Sequence, residues 1–151
     1  MSLFKKHIIR LALLMVWVVF VNIIAKAQSD KIEGIWYNDS KSAKIQITKD
    51  INSKFNGKIV WLKEPLKDGK PKVDDQNSNQ KLHTRPILGL PILANFAKDG
   101  DNKYTNGSIY DPKNGKTYSC NINYKGNKLD IRGYIGISLF GRTTTWERAG
   151  N

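Results

Sequence analysis

The side chains best suited to chemistry in this sequence are large aromatics and arginines that suit binding. They are Trp61, Arg85, Tyr110, Tyr134, Arg142 and Trp146. A small barrel holds a lipophilic or amphipathic ligand in a cavity lined by aromatic and apolar side chains, with a few polar anchors. Arg85 or Arg142 could bind a carboxylate or phosphate head, because a guanidinium matches the geometry of both. The alternative is a barrel filled by its own side chains, since large inward residues such as Phe55, Trp61 and Tyr124 occupy volume.

Catalytic chemistry has few candidates. Nucleophilic catalysis needs an imidazole beside the nucleophile, and His83 is the single histidine after position 27. Cys120, the single cysteine, shares the alternation of Tyr118 and Ile122, so its thiol is expected in the core. Buried cysteines mostly behave as small inert hydrophobic groups. We therefore predict no catalytic residues and no enzyme, with a hydrolase as the less favoured hypothesis.

Metal and cofactor sites are also not predicted. Asp75, Asn77 and Asn79 have the spacing that begins an EF-hand loop. That motif then needs glycine and glutamate where this chain has Gln80 and Pro86. A solvated polar loop explains the segment better, although a weak oxygen site that includes Asp74 stays open.

The amino-terminal segment 1–27 has the layout of a secretory signal peptide. Lys5, Lys6 and Arg10 precede an apolar run over 11–21, and Ala25-Lys-Ala27 supplies small residues at a cleavage-like position. An uncleaved membrane anchor is the competing hypothesis, but the run is shorter than the ~20 apolar residues that a span needs. We predict a cleaved signal peptide (1–27), one domain (28–151) and an exported, periplasmic or secreted product.

The charge of the chain is strongly basic. The formal net charge is +12, and it remains +8 without the four basic residues of segment 1–27. Basic surfaces suit nucleic acid or anionic lipid, but here the lysines are scattered along the chain rather than clustered. We predict a solvated surface, no nucleic-acid partner, and membrane contact only through the signal peptide before cleavage.

The elements that must position these side chains are β-strands. Apolar and polar residues alternate around Ile45, Ile59, Ile122 and Ile131, a period typical of antiparallel sheets with one buried face. Turn signals such as Asn114-Gly115 separate the runs at short intervals, which favours an all-β barrel or sandwich.

Closure into a barrel is favoured by the two ends of the domain. Gly34-Ile-Trp36 opens the first predicted strand, and Trp146-Glu-Arg148 ends the last. In lipocalin-like barrels an arginine from the last strand covers the indole of such a tryptophan through a cation–π contact. Trp36 and Arg148 are therefore predicted to close the barrel.

Six blocks resemble, in order, an exported bacterial family catalogued as domain of unknown function 2147. The blocks are Gly34-Ile-Trp36, Gly57-Lys-Ile-Val-Trp-Leu62, Arg85-Pro-Ile-Leu-Gly-Leu90, Gly107-Ser-Ile-Tyr-Asp-Pro112 with Asn114-Gly-Lys-Thr-Tyr118, Arg132-Gly-Tyr-Ile-Gly136, and Gly141-Arg-Thr-Thr-Thr-Trp146 with Arg148. The resemblance implies a single antiparallel, lipocalin-like (calycin-type) barrel of about eight strands. It also implies a periplasmic location and no established activity. The loop before Arg85 departs from the family pattern, which has a run ending in Asn-Pro-Asp.

Together these observations predict an exported small β-barrel that binds a lipid or another small amphipathic ligand of the envelope without catalysis. The alternative is an envelope protein–protein interaction module with a filled barrel. A cavity lined by aromatics, with arginine at its mouth, would favour the first hypothesis.

Overall fold

The alternating segments of the sequence form strands, because each of them buries one face and leaves the other to solvent. The computed structural model describes residues 29–150. The predicted signal peptide 1–27 lies outside the described residues and stays a prediction. Within 29–150 no helix is long and apolar enough to cross a membrane.

Eight antiparallel strands close into a barrel, which confirms the predicted fold class. The barrel strands are β1 (Gly34–Tyr37), β2 (Ala43–Lys49), β3 (Phe55–Leu62), β6 (Pro91–Lys98), β7 (Lys103–Asp111), β8 (Lys116–Lys125), β9 (Lys128–Tyr134) and β10 (Arg142–Arg148). The order around the barrel is β1-β10-β9-β8-β7-β6-β3-β2, and β1 pairs with both β2 and β10. The connection from β3 to β6 holds a separate hairpin of β4 (Leu66–Lys67) and β5 (Lys70–Pro71), and a 3₁₀ turn (Gln80–Leu82).

One end of the barrel is filled with side chains and closed by the residues that precede β1. Large buried side chains pack here, among them Trp36, Phe55, Phe96, Tyr104 and Leu129. The indole Nε1 of Trp36 donates to the carbonyl of Ile32 at 2.8 Å, and the Tyr104 hydroxyl donates to the Asp30 carboxylate. Lys98 Nζ lies 2.5 Å from the same carboxylate. The segment 30–33 therefore caps this end, which we call the closed end.

Arg148 covers Trp36 at the closed end, in the position that the sequence predicts. The guanidinium lies 4.0 Å from the ring centroid and donates to the backbone carbonyls of Lys31 and Glu33. Gly34 adopts a φ of +129°, and a Cβ at that position would lie 2.6 Å from Arg148 Nη1. The glycine of the Gly34-Ile-Trp36 motif is thus required by both its backbone conformation and the arginine that crosses it.

A β-bulge late in β3 overturns the expected direction of one aromatic side chain. Ile45 pairs with Ile59, but the preceding Lys44 pairs with Trp61, so Val60 is an extra residue in the ladder. The extra residue reverses the alternation and turns Trp61 to the outer face. There its ring stands edge-on to Tyr37 at 6.1 Å, with Lys44 Nζ at 5.4 Å. The prediction that Trp61 faces inward is therefore wrong.

Candidate functional site

A large cavity occupies the end of the barrel opposite the closed end. Its volume is about 1380 Å³. Because the deep half of the barrel is filled, the cavity opens at one end only, between the β1–β2, β3–β6, β7–β8 and β9–β10 connections. The apolar part of its wall comes from six strands and includes Ala43, Ile45, Ile59, Leu62, Ile92, Ile109, Ile131 and Trp146.

The mouth of this cavity is polar and rich in charged side chains. Arg142 is the first residue of β10 and shares its inward direction with Thr144 and Trp146, all three of which line the cavity. Its side chain stands at the exposed rim, above the apolar wall. Lysines from the long β3–β6 connection and from the β7–β8 turn line the same rim: Lys63, Lys67, Lys70, Lys72 and Lys113. Five acidic side chains line the cavity as well: Asp39, Glu64, Asp68, Asp75 and Asp111. The arrangement is an apolar chamber with a charged entrance that has a slight cationic excess.

Beside the mouth, a buried carboxylate organises the long connection between β3 and β6. Asp74 is fully buried, and Oδ1 accepts from the Tyr110 hydroxyl at 2.6 Å. Its Oδ2 accepts from Arg85 Nη2 at 2.6 Å and from Asn77 Nδ2 at 2.9 Å. The amide of Asp74 also donates to the Arg85 carbonyl at 2.9 Å. We call these four residues, Asp74, Asn77, Arg85 and Tyr110, the Asp74 cluster.

The Asp74 cluster shifts the pKa of its two acids in opposite directions. Burial alone would raise the pKa of Asp74, but donation by Tyr110, Arg85 and Asn77 outweighs burial and holds it below its ordinary value. Burial and the adjacent carboxylate raise the pKa of the Tyr110 hydroxyl. The carboxylate is therefore charged and the phenol neutral at physiological pH, which suits a fixed structural contact.

Further contacts attach the same loop to the β7–β8 hairpin. Gly115 has a φ of +70°, and a Cβ there would lie 1.8 Å from the Gln76 carbonyl oxygen, so the loop backbone runs directly against the turn. His83 Nε2 lies 2.6 Å from the Asn77 carbonyl. Since a carbonyl oxygen only accepts, Nε2 must carry the proton. The loop that the sequence predicts as polar and solvated is thus tied to the barrel rim.

The structure separates the six residues that the sequence predicts as a ligand site. Arg142 and Trp146 line the large cavity, and Tyr110 lies between it and a smaller cleft of about 340 Å³. Arg85 lines the smaller cleft and is engaged by Asp74, so its charge is already neutralised.

Two of the predicted site residues, Tyr134 and Trp61, line neither the large cavity nor the smaller cleft. Tyr134 follows the cavity-lining Gly133 on β9, and alternation therefore places its side chain on the outer face. Trp61 is turned outward by the bulge in β3. Neither side chain is placed to contact a ligand inside the barrel.

The residues weighed for nucleophilic chemistry are engaged elsewhere. Cys120 is fully buried in β8, and burial raises the pKa of its thiol to about 12. Its thiol donates to the Asn121 carbonyl, while His83 binds Asn77. Within residues 29–150, no group of three or more His, Cys, Asp or Glu side chains is placed to hold a metal ion. Asp74, left open as part of an oxygen site, has both oxygens occupied by donors.

Sequence reasoning did not identify Asp74 and Asn77 as partners of Arg85 and Tyr110. Asp74 is 11 residues from Arg85 and 36 from Tyr110, and no periodic pattern connects such positions. The sequence offers one chemical indication, because an arginine and a tyrosine near an apolar mouth both require a hydrogen-bond partner.

Comparisons with known proteins agree with this architecture. A family profile described as "Uncharacterized protein conserved in bacteria (DUF2147)" matches residues 34–148. The chain is also similar to a solved structure described as protein HP1028 from the human pathogen Helicobacter pylori, which belongs to the lipocalin family. The two are 26% identical with a TM-score of 0.72, over 82% of this chain and 86% of the other. A search of curated proteins found no match.

Proposed function

Since the chain belongs to the bacterial DUF2147 family and forms a half-empty, lipocalin-like barrel, we propose that it binds a lipophilic or amphipathic molecule of the cell envelope. The observation that carries this proposal is the cavity of about 1380 Å³, which is closed at one end and open at the other. Small-molecule sites typically measure about 300–1,000 Å³, so there is room for an acyl chain or a comparable ligand. The proposed role is non-enzymatic.

The chemistry of the cavity suggests how such a ligand would lie. Ile59, Ile131 and Trp146 form an apolar inner wall, where a hydrocarbon tail gains from leaving water. Arg142 stands at the rim, where its guanidinium can bind a carboxylate or phosphate without leaving solvent completely. An anionic head at the mouth and a tail directed toward the closed end is therefore the proposed orientation.

The alternative of a filled barrel receives less support. Phe55, Phe96 and Tyr104 do fill the barrel, but only at its closed end. In the other half Trp146 and Tyr118 are large, but most inward residues are isoleucines, and at Ala43 and Gly133 little or no side chain enters the lumen. An interaction module with a filled barrel does not account for this empty half.

A first experiment identifies the natural ligand. The protein recovered after export from its own cell is analysed by native mass spectrometry, and bound small molecules are then extracted. We expect a mass consistent with a chain that begins at Gln28, because segment 1–27 is proposed to be removed on export. We also expect a lipid or other amphipathic molecule to accompany it. A chain that retains residues 1–27 would contradict the proposed cleavage.

A second experiment tests the proposed orientation with a defined probe. A fluorescent polyunsaturated fatty acid and its methyl ester are titrated into wild type and Arg142→Gln. We expect Arg142→Gln to weaken binding of the acid by about tenfold, the loss of one charge-assisted hydrogen bond, and to leave the ester unchanged.

Trp61→Ala is the matched control, because the side chain lies on the outer face of the barrel. It should bind both probes as wild type does. If neither the acid nor the ester bound to wild type, and no lipid accompanied the exported protein, the proposed function would be wrong. Equal weakening of acid and ester by Arg142→Gln would argue against the head-at-mouth orientation.

A further inference from the structure

The connection between β9 and β10 exposes large apolar side chains at the open end of the barrel. Within 135–141, Ile135 is 76% exposed, Ile137 59%, Leu139 75% and Phe140 81%. The sequence of this segment, Ile-Gly-Ile-Ser-Leu-Phe-Gly, contains no charged residue. We call it the apolar loop. Single exposed apolar residues are common on protein surfaces, but a cluster of four in one loop marks an interaction site.

The apolar loop is held in its exposed conformation by Arg132, which projects from β9 beneath it. Arg132 Nε donates to the Ser138 carbonyl at 2.8 Å, and Nη2 donates to the Leu139 carbonyl at 3.0 Å. The remaining Nη1 donates to Thr143 Oγ1 at 2.9 Å, which fixes the guanidinium to β10. A planar fork bound at three points is a rigid support, so the loop displays its apolar side chains from a defined backbone.

The same contacts satisfy three backbone carbonyls of the apolar loop from within the chain. The 3₁₀ turn (Ser138–Phe140) directs the amide of Phe140 to the Ile137 carbonyl and the amide of Gly141 to the Ser138 carbonyl. With Arg132, the carbonyls of Ile137, Ser138 and Leu139 therefore all have donors. Backbone groups without partners are costly in a lipid environment. Internal satisfaction lowers that cost for this part of the loop.

The charges around the mouth leave a slight cationic excess, which suits a membrane surface with some anionic lipid. Arg142 follows the apolar loop directly, and Lys63, Lys70 and Lys113 line the same mouth with no ion pair to another described residue. Five acidic side chains also line it: Asp39, Asp68 and Asp111, together with Glu64 and Asp75, which pair with Lys72 and Lys67. The electrostatic contribution is therefore modest, and the apolar side chains must provide most of the attraction.

We propose that the apolar loop inserts into the interfacial region of an anionic bilayer and brings the mouth of the cavity to the lipid. The sequence predicted membrane contact through segment 1–27 alone, so the loop would be a second and separate contact. Four exposed apolar side chains on one uncharged loop fit a lipid interface, which adapts to their shape, without the complementary surface that a protein partner must supply. Such docking would allow a ligand to pass between the membrane and the cavity, and this role rests on the proposed function.

The test compares vesicle binding of matched variants in the exported form of the protein. Vesicles of phosphatidylcholine with added phosphatidylglycerol are sedimented with wild type, with the double variant Leu139→Ser/Phe140→Ser, and with Ile51→Ser. Ile51 is 98% exposed in the β2–β3 turn at the closed end and serves as the apolar control. We expect the double variant to partition at least about tenfold more weakly, because two large apolar side chains no longer leave water. Ile51→Ser should match wild type.

Further measurements separate this proposal from its alternatives. The variants alter exposed side chains, so their thermal midpoints should match that of wild type. Leu139→Ser alone is a second variant that should weaken vesicle binding less than the double variant does. Binding of the fluorescent fatty acid without vesicles should be unchanged in the double variant, so failure of docking is distinguished from failure of ligand binding. Equal partitioning of wild type and the double variant would overturn the proposal. So would a wild-type dimer in solution that the double variant dissolves, since the loop would then bind a second copy of the chain.

Discussion

At the scale of single residues, the contacts of Asp74 are the ones whose loss should cost most. Its carboxylate accepts from Arg85 and Tyr110, and truncating one partner of a buried pair leaves the others without a matched acceptor. We expect Asp74→Asn to lower the free energy of unfolding by about 2–4 kcal/mol, measured by urea denaturation at neutral pH. Asp75→Asn, an exposed neighbour, should change it by less than about 0.5 kcal/mol. Identical urea midpoints for Asp74→Asn and wild type would contradict this assignment.

The pH dependence of stability follows from the same residue. Burial raises the pKa of Asp74, but the hydrogen-bond donors lower it by more than burial raises it. The folded-state pKa therefore lies below the unfolded value of about 4. A lowered pKa stabilises the fold above the unfolded value, and this contribution is lost as pH falls through the folded value. The difference in unfolding free energy between wild type and Asp74→Asn should thus be constant near neutral pH and narrow below about pH 4. If this difference in unfolding free energy grew on acidification, the folded-state pKa of Asp74 would lie above the unfolded value, contrary to our assignment.

At the scale of elements, β1 and β10 depend on the guanidinium that joins them. Arg148 lies over Trp36 and binds the carbonyls of Lys31 and Glu33, so it links β10 to the cap of the closed end. Lysine keeps the charge but loses the planar stacking and the fork. We expect Arg148→Lys to lower the free energy of unfolding by about 1–2 kcal/mol.

Arg142→Lys, at the other end of β10, is the control for this effect on stability. Its side chain stands at the cavity rim, and a conservative change there should leave the thermal midpoint near that of wild type. Comparable losses of stability in Arg148→Lys and Arg142→Lys would mean that the contact of Arg148 with Trp36 does not stabilise the barrel specifically.

The strand pattern of the sequence was sufficient to predict this fold, but not each side-chain direction. Alternation around Ile45 and Ile131 predicted the antiparallel strands, and the Trp36 and Arg148 motifs indicated closure. The bulge at Val60 was not visible, because an inserted residue changes the register without changing local composition. Strict alternation therefore predicts an inward Trp61, which is wrong. Arg142 and Trp146 lie in a regular ladder, and both line the cavity.

At the scale of the whole molecule, the barrel has two unequal halves. The closed end is filled and hydrogen-bonded to its cap, while the open end borders a cavity and long connections. Local opening is easiest where few buried contacts must break. We expect amide hydrogen exchange to be slowest around Tyr104, Ile122 and Leu129, and fastest in the β4–β5 hairpin.

Hydrogen–deuterium exchange with mass spectrometry of peptides checks this prediction. Adding the fluorescent fatty acid should slow exchange at the open end and leave the closed end unchanged. Uniform exchange around the whole barrel would contradict a division into two halves.

The candidate site was less predictable than the fold, for a reason that belongs to the whole chain. Residue type alone indicates Arg85 and Tyr110 as candidates, whereas Asp74 binds both from a loop without periodicity. The pairing arises only when the β3–β6 connection folds across the β7–β8 hairpin, a contact between distant parts of the chain. A single sequence carries no periodic signal for it.

The division into halves, with the bulge in β3, also places the three tryptophans after position 27 in three different environments. Trp36 is buried under Arg148, Trp61 is on the outer wall, and Trp146 lies at the cavity. Each is therefore an optical reporter of a different region. Ligand entry should alter the emission of Trp146 alone, and a soluble quencher should reach Trp61 first. Two phenylalanine substitutions that leave Trp146 as the single indole of the domain would convert this barrel into a sensor of its own contents.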